Sequence, residues 1–406
     1  MASPELKRTL GPADAVTIGL GSMIGAGVFV ALAPAAAAAG SGLLVGLAVA
    51  AVVAYSNATS SARLAVRYPQ SGGTYVYGRE RLGPFWGYLA GWSFVVGKTA
   101  SCAAMALTVG VYAWPAHPHA VAVAAVVGLT AVNTVGVQKS AWLTRVIVAV
   151  VLAVLGAVVA VIAGSDGADV SRLALHDVGV LGVLEAAGLC FFAFAGYARI
   201  ATLAEEVRNP TVTIPRAIRI ALGVVFGIYA VVAVAVLSEL GSGALASATA
   251  PLADAVAAAG HPGLTPVVRV GATIAALGSL LALILGVSRT VLAMARDRHL
   301  PAVLAAVHPR FDTPYRAELA VGAVVAVLAG VLDLRGAIGF SSFAVLLYYA
   351  IANASAFTLG AKLIPVVGLV GCLVLAVTLP VPSVLAGLAV GALGAAVYTV
   401  RRPRRT

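Results

Sequence analysis

Residues 19–29 read Gly19-Leu20-Gly21-Ser22-Met23-Ile24-Gly25-Ala26-Gly27-Val28-Phe29. Four glycines therefore fall within nine residues of an apolar segment, and each weakens a helix by roughly 1 kcal/mol. Two interpretations stay open: close packing against a neighbouring helix, or an unwound segment whose free backbone groups face a polar solute inside a membrane. A dinucleotide-binding loop is excluded, because no strand precedes the glycines, their spacing is wrong, and no acidic residue follows at the required distance.

A second break occurs in the sixth apolar segment, at Phe191-Phe192-Ala193-Phe194-Ala195-Gly196-Tyr197. It lies about 170 residues after the first break. Each break falls in the first segment of a set of five apolar segments. Interrupted helices at corresponding positions of two halves are typical of inverted-repeat transporters. The pair of breaks therefore favours unwinding over packing alone.

Two such breaks suit a zwitterionic solute. The N-terminus of the outer half of the first helix carries partial positive charge and free N–H groups, which attract a carboxylate. Unwound carbonyls of the first and sixth helices accept hydrogen bonds from an ammonium group. Both charges of the solute are then satisfied without burying a full countercharge, which is costly in hydrocarbon.

The composition requires lipid as the solvent. Of 406 residues, 61% are hydrophobic and 10% charged, and the mean hydropathy is +1.03, whereas about a quarter of a soluble domain is charged. The net charge of +11 does not indicate a nucleic-acid partner, because the basic residues lie in short loops and at the C-terminus rather than on a stripe interleaved with aromatics.

Apolar stretches of about 20 residues are long enough to cross a bilayer as helices. The sequence predicts twelve, and Pro380 and Pro382 divide the last two. They are residues 13–36, 42–66, 84–114, 118–136, 140–164, 180–204, 214–240, 264–295, 316–333, 336–361, 363–379 and 381–400.

The basic residues predict the orientation. With the N-terminus in the cytoplasm, all of the 26 Lys and Arg fall on the cytoplasmic side except Arg172, Arg269 and Arg335, which are external, and Lys98, which lies within a span. Cytoplasmic loops are enriched in Lys and Arg. We therefore predict a multi-pass protein of the cytoplasmic (cell) membrane with both termini inside.

No catalytic or metal site is expected. The three cysteines lie far apart in apolar runs, and the six histidines all fall in connecting segments, so neither disulfide nor zinc spacing is present. The N-terminus is too polar for a signal peptide. A channel would need rings of polar or charged residues, and an enzyme would need a nucleophile, base or metal ligands within the spans. We expect no cofactor and no enzymatic activity.

Several loop motifs resemble those of the amino acid–polyamine–organocation superfamily of amino acid permeases. Besides the two breaks, they are Pro69 to Tyr75, Gly83 to Gly87, Glu205 to Pro210, Ile214 to Ala217, Ser288-Arg289, Ala293 to Asp297, Leu300-Pro301, His308 to Phe311 and Thr313 to Tyr315. They follow the family's order between about residues 10 and 360.

The resemblance implies an all-α integral membrane fold of twelve helices, a five-plus-five inverted repeat with two added C-terminal helices, in which the first and sixth helices are unwound. The single transmembrane domain, 1–406, then divides into a first repeat at 10–164, a second at 180–361 and the added helices at 363–400.

The resemblance also assigns substrate-binding residues. The substrate carboxylate is expected near Ser22, Met23, Ile24, Gly25 and Ala26. The amine is expected near carbonyls around Ile18 and at Phe191 and Phe194, with Phe192 at the family's aromatic gate. Plain packing is the alternative for Phe192.

The chain departs from the family at two positions. Many members carry a lysine in the fifth helix, where our alignment gives Val151. Lys98 instead lies near the middle of the third span, about 20 Å from the nearest interface at 1.5 Å per residue. Because a mid-membrane lysine is costly, we predict a coupling role, with snorkelling as the alternative. Lys98 could exchange a proton, hold the substrate carboxylate, or act as a fixed cation in place of sodium.

Charges after the sixth and eighth helices form a predicted cytoplasmic gate. We expect opposite charges to pair across the inward mouth and to bias alternating access; the residues are Glu205, Glu206, Arg289, Arg296 and Asp297.

The sequence therefore predicts a secondary transporter of an amino acid, preferably a neutral one, by proton coupling or exchange. A polyamine, another amine or an amino acid of another charge class is the alternative. A proton is a possible second partner, the bilayer surrounds the protein, and the sequence does not define the oligomeric state.

Overall fold

The computed structural model describes residues 11–68, 72–136, 141–175, 178–201 and 207–401. Within these ranges the regular structure is helical. Eight helical stretches are long and apolar enough to cross a membrane: Pro12–Val30, Leu32–Arg67, Pro84–Ala113, Trp142–Ala163, Pro210–Ser247, Pro262–Arg296, Leu334–Phe357 and Val381–Val400. Three shorter apolar helices join them: Pro118–Thr134, Val180–Phe194 and Leu363–Thr378. The chain is therefore an all-helical, multi-pass membrane protein.

Among the described residues, the first half of the chain forms eight α-helices and the second half nine. The first eight are α1 Pro12–Met23, α2 Ala26–Val30, α3 Leu32–Ala39, α4 Leu43–Arg67, α5 Thr74–Leu82, α6 Pro84–Ala113, α7 Pro118–Thr134 and α8 Ala141–Ala163.

The nine described helices of the second half are α9 Val180–Phe194, α10 Ala198–Ala201, α11 Pro210–Ser247, α12 Pro251–Ala258, α13 Thr265–Arg296, α14 Tyr315–Val331, α15 Leu334–Phe357, α16 Leu363–Thr378 and α17 Val381–Arg401. Short 3-10 turns lie at Gly40–Gly42, Val170–Leu173, Pro262–Leu264 and Ala302–Ala305.

Each of the twelve predicted segments overlaps a described helix, but the number of membrane crossings stays a prediction. The largest differences in bounds concern the first, sixth and seventh segments, and the sixth is divided between α9 and α10. The first is divided among α1, α2 and α3. The seventh extends to Ser247 through a kink at Gly241, whose φ of 70° lies in the left-handed region that glycine tolerates.

Helices α6 and α15 lie at the centre of the bundle and α17 at its edge. The apolar stretches of α6 and α15 are 72% and 83% buried inside the protein, against 22% for α17. Ser101 of α6 and Ser341 of α15 share a hydrogen bond of 2.6 Å. Small and hydroxyl-bearing residues let membrane helices approach closely and bond to one another.

Helices α2 and α3, which form the second half of the first interrupted helix, pack tightly on α9. Ala31 keeps helical φ and ψ, and its amide donates to the Gly27 carbonyl, so α2 and α3 continue one another. A Cβ on Gly27 would lie 2.6 Å from the Cα of Ala193. A Cβ on Gly182 of α9 would likewise overlap the carbonyl oxygen of Ala38. Glycine at these contacts allows backbone-to-backbone packing that any side chain would prevent.

Candidate functional site

The first break lies where the glycine-rich sequence predicts it. Helix α1 ends at Met23, α2 begins at Ala26, and Ile24 has a non-helical ψ of 71°. The Gly25 amide turns back to donate to the Met23 carbonyl at 2.8 Å. The Ile24 amide still donates to the Leu20 carbonyl at 2.7 Å, so the regular helical pattern of amide bonds ends at Ile24 and is broken at Gly25.

The second break follows α9. Helix α9 ends at Phe194, and a turn of Ala195, Gly196 and Tyr197 leads into α10. Within this turn the Tyr197 amide donates to the Phe194 carbonyl at 3.3 Å. Helical bonding is therefore replaced by turn bonding at the predicted segment.

The two breaks are in direct contact. Gly196 packs on the backbone of the first break, and a Cβ at this position would lie 2.5 Å from the carbonyl carbon of Ser22 and 2.9 Å from the amide nitrogen of Met23. Such distances are far below ordinary carbon contacts of about 3.5–4.0 Å. A residue with a side chain would hold the two interrupted helices apart.

Tyr229 of α11 connects the two breaks. Its hydroxyl donates to the Met23 carbonyl at 2.6 Å and lies 3.2 Å from the Ala193 carbonyl. Its ring packs on Phe194, with the ring centroids 5.3 Å apart. One buried side chain therefore contacts a carbonyl of each interrupted helix. Tyr229 was not among the residues predicted from the sequence, where its signal is a single tyrosine in a long apolar helix.

Lys98 lies at the second break. Its Nζ donates to the Ala195 carbonyl at 3.1 Å, and the residue is 6% exposed. The described geometry therefore has the lysine inside the protein rather than snorkelling to an interface. No carboxylate of the described residues forms an ion pair with it.

The predicted carboxylate-binding residues surround the first break. Met23 and Ile24 are each 2% exposed and Ala26 is fully buried, while the Ser22 hydroxyl donates to the Ile18 carbonyl at 2.8 Å. The Ile18 carbonyl thus already accepts a bond from the protein itself. Whether these residues bind a carboxylate stays a prediction.

Gly25 also serves helix packing. A Cβ on Gly25 would overlap the Ser279 hydroxyl and lie 3.0 Å from the Ser279 Cβ on α13. The packing and ligand interpretations of this glycine are therefore compatible. A valine at this position would strain the fold as well as fill space beside the amides.

The predicted phenylalanines are interior residues. Phe191 and Phe194 are fully buried and Phe192 is 7% exposed. Phe191 packs edge-on against Tyr349 of α15, with the ring centroids 5.9 Å apart. The gate role of Phe192 stays a prediction. Val151 of α8, at the position of the family lysine, is fully buried.

Part of the predicted cytoplasmic gate has other partners. Glu205 and Glu206 lie outside the described residues. Within the described chain, neither Arg289 nor Arg296 forms an ion pair, and Asp297 pairs instead with Arg79 of α5 at 3.2 Å. This pairing was not predicted from the sequence, in which Arg79 and Asp297 are 218 residues apart.

Asp297 belongs to a cluster of side chains that connects α5 to the end of α13. This cluster, here called the α5 anchor, consists of Tyr75, Arg79, Asp297 and His299. The Tyr75 hydroxyl donates to Asp297 Oδ2 at 2.5 Å and lies 2.8 Å from His299 Nδ1. Burial and the bond to Asp297 raise the pKa of Tyr75. Burial lowers the pKa of His299, Asp297 opposes this shift, and Arg79 adds to it. The anchor therefore favours the neutral imidazole.

An all-helical membrane protein whose two interrupted helices meet in its interior has the architecture of a membrane transporter. Comparison with known proteins makes the class more specific. A family model described as amino acid permease matches residues 14–370. The chain belongs to the amino acid permease family and is an amino acid transporter, which confirms the resemblance drawn from its loop motifs.

Relatives span bacteria and animals. The chain is 71% identical over 405 residues to an uncharacterized transporter of Mycobacterium tuberculosis, covering 98% of this chain and 92% of the relative. It is 26% identical over 354 residues to the branched-chain amino acid permease BcaP of Bacillus subtilis, covering 81% and 76%. It is 29% identical over 372 residues to human cationic amino acid transporter 4, covering 85% and 58%.

Proposed function

We propose that this chain is a secondary active transporter that carries a neutral amino acid across the cytoplasmic membrane by alternating access, either coupled to protons or as an exchanger. The observation that carries the proposal is the contact between the two helix breaks. Gly196 packs on the Ser22–Met23 backbone, and Tyr229 contacts carbonyls on both sides. Backbone groups released from helical bonding are thereby gathered at one place, as a zwitterion requires.

The proposed fold is a five-plus-five inverted repeat of twelve membrane-spanning helices with both termini in the cytoplasm. The two interrupted helices, α1–α2 and α9–α10, open the two repeats, while α16 and α17 are the added pair. The low burial of α17, 22% of its apolar stretch, supports its place outside the repeats.

The substrate is proposed to bind at the first break through its carboxylate and at the second through its ammonium group. The α2–α3 helix runs outward from the first break, so its N-terminal amides are oriented to attract a carboxylate. Carbonyls at the end of α9 suit an ammonium group. Lys98 is proposed as the coupling residue, because it is a buried cation at the second break.

A cationic amino acid or an amine is the second candidate substrate. It is favoured by the relatives named cationic amino acid transporters in human and in Arabidopsis thaliana. It is opposed by Lys98, since a second cation beside its ammonium group would be repelled unless an acid shields it. No described carboxylate pairs with Lys98.

Transport by the purified protein in liposomes tests the proposal. Vesicles loaded with one unlabelled amino acid of the twenty are diluted into buffer that contains the same amino acid in labelled form. Putrescine, tested in the same way, serves as the amine probe. We expect saturable exchange of neutral amino acids and little exchange of arginine. Arginine or putrescine as the best substrate would establish the second candidate, and a complete lack of transport would refute both.

A matched pair of variants connects transport to the site. Gly196→Ala alters the contact between the breaks, whereas Gly223→Ala on α11 adds a methyl group with no atom within 4 Å. We expect the first to lose exchange and the second to keep it.

A further inference from the structure

Lys98 is bonded to the kind of acceptor that the ammonium group of a substrate would need. Its Nζ donates to the carbonyl of Ala195, the residue that directly follows α9 at the second break. The side chain comes from α6, one of the two central helices, so it is held in this place by the most buried part of the bundle.

The ammonium group of Lys98 has no described carboxylate to balance its charge. A buried cation needs either a countercharge or strong acceptors. Carbonyl dipoles at a helix end supply negative potential, so Ala195 offers partial compensation. A substrate ammonium group at the same break would meet the same potential. Two ammonium groups cannot share it without repulsion.

A substrate also brings a carboxylate. If the substrate ammonium group displaces Lys98 from Ala195, the substrate carboxylate can balance the displaced lysine. A simple amine brings no such charge. The arrangement therefore distinguishes an amino acid from an amine by the carboxylate that only the amino acid carries, rather than by size.

We propose that Lys98 is a tethered substitute for the substrate's ammonium group, bound to the Ala195 carbonyl in the substrate-free carrier and displaced when an amino acid binds. This inference rests on the proposed function. It makes Lys98 a positioning residue that keeps the second break closed without substrate. The substrate-free carrier can then return across the membrane, so that the protein performs net uptake as well as exchange.

The ratio of exchange to net uptake tests this inference. The labelled amino acid is the one that gives the highest exchange in the wild type. Its exchange is measured in vesicles loaded with the same amino acid in unlabelled form, and its net uptake in vesicles that contain no amino acid. Lys98→Met removes the charge and the donor at similar length. We expect the ratio of its net uptake to its exchange to fall at least about tenfold below that of the wild type, which corresponds to about 1.4 kcal/mol.

Two further variants define the cause. Lys98→Gln keeps an N–H donor without the charge, and we expect an intermediate ratio. Lys362→Met, at an exposed lysine between α15 and α16 whose ammonium group lies 5.1 Å from the Phe357 ring centroid, should leave the ratio unchanged. Because each ratio is measured on the same preparation, a smaller folded fraction cancels.

The outcomes separate the inference from the function on which it rests. An unchanged ratio in Lys98→Met, or equal losses of both fluxes, overturns the tethered substitute. Wild-type exchange without net uptake also overturns it and leaves the proposed function intact. A wild-type protein that transports none of the twenty amino acids overturns both.

Discussion

Gly196→Ala is the sharpest perturbation of the site, because it adds one methyl group between the two breaks. The new Cβ would lie 2.5 Å from the Ser22 carbonyl carbon and 2.9 Å from the Met23 amide nitrogen. Backbone atoms cannot rotate away as a side chain can. Restoring a contact of about 3.5 Å requires the breaks to separate by about 1 Å.

That separation determines the expected magnitude. Overpacking of this kind costs about 1–3 kcal/mol. The Tyr229 hydroxyl bonds Met23 at 2.6 Å, and a shift of about 1 Å would end that bond at a further cost of about 1 kcal/mol. The free energy of unfolding should therefore fall by about 2–4 kcal/mol.

Thermal unfolding in detergent and exchange in liposomes measure the effect, with Gly223→Ala as the control. Gly223 lies within a helix and has open space around it, so alanine should be neutral or stabilising by up to about 1 kcal/mol. We expect Gly196→Ala to lower both the melting temperature and exchange, the latter by at least about tenfold. Equal stability and exchange in the two variants would refute the inferred contact between the breaks.

Three further predictions concern topology, pH and packing. A single cysteine at Gly73 should be shielded from an impermeant reagent in intact cells and one at Gly167 labelled; the reverse would contradict the cytoplasmic N-terminus. Because the pKa of His299 is lowered from 6.5, the stability that its neutral form gives the α5 anchor is present above pH 6.5 and is lost as the pH falls through the lowered value. Hydrogen exchange in α5 should therefore rise on acidification, and His299→Gln should remove that dependence. Gly25→Ala should destabilise the protein, and Ser279→Gly in the same chain should restore its stability. If stability returns without amino acid binding, Gly25 is required for the ligand. If both return, Gly25 serves packing alone.

The positions of the breaks could be predicted from sequence because their cause is local. Glycines in the first break and Gly196 in the second weaken helical bonding through their own low helix propensity. The side chain that joins the breaks could not be predicted. Tyr229 follows Met23 by 206 residues, and hydropathy does not specify which faces of two apolar helices meet.

The charged residues show the same limit. Sequence position predicted Asp297 in a network of charges after the sixth and eighth helices, whereas its described ion-pair partner is Arg79 on the short helix α5. Lys98 could be identified from the sequence, because a single basic residue near the middle of an apolar span is evident without knowing how the helices pack. Its acceptor, a backbone carbonyl, has no sequence signature.

The close packing of α2–α3 on α9 has a consequence for motion. Because Gly27 meets Ala193 and Gly182 meets Ala38 without an intervening side chain, these segments have no space to slide past one another. They should therefore reorient as one rigid body. Hydrogen bonds from Lys98 and Tyr112 of α6 and from Tyr229 of α11 cross the boundary of this body. Transport rates would then respond more to a lost hydroxyl or amine at that boundary than to a change inside the tightly packed unit that leaves its contacts intact.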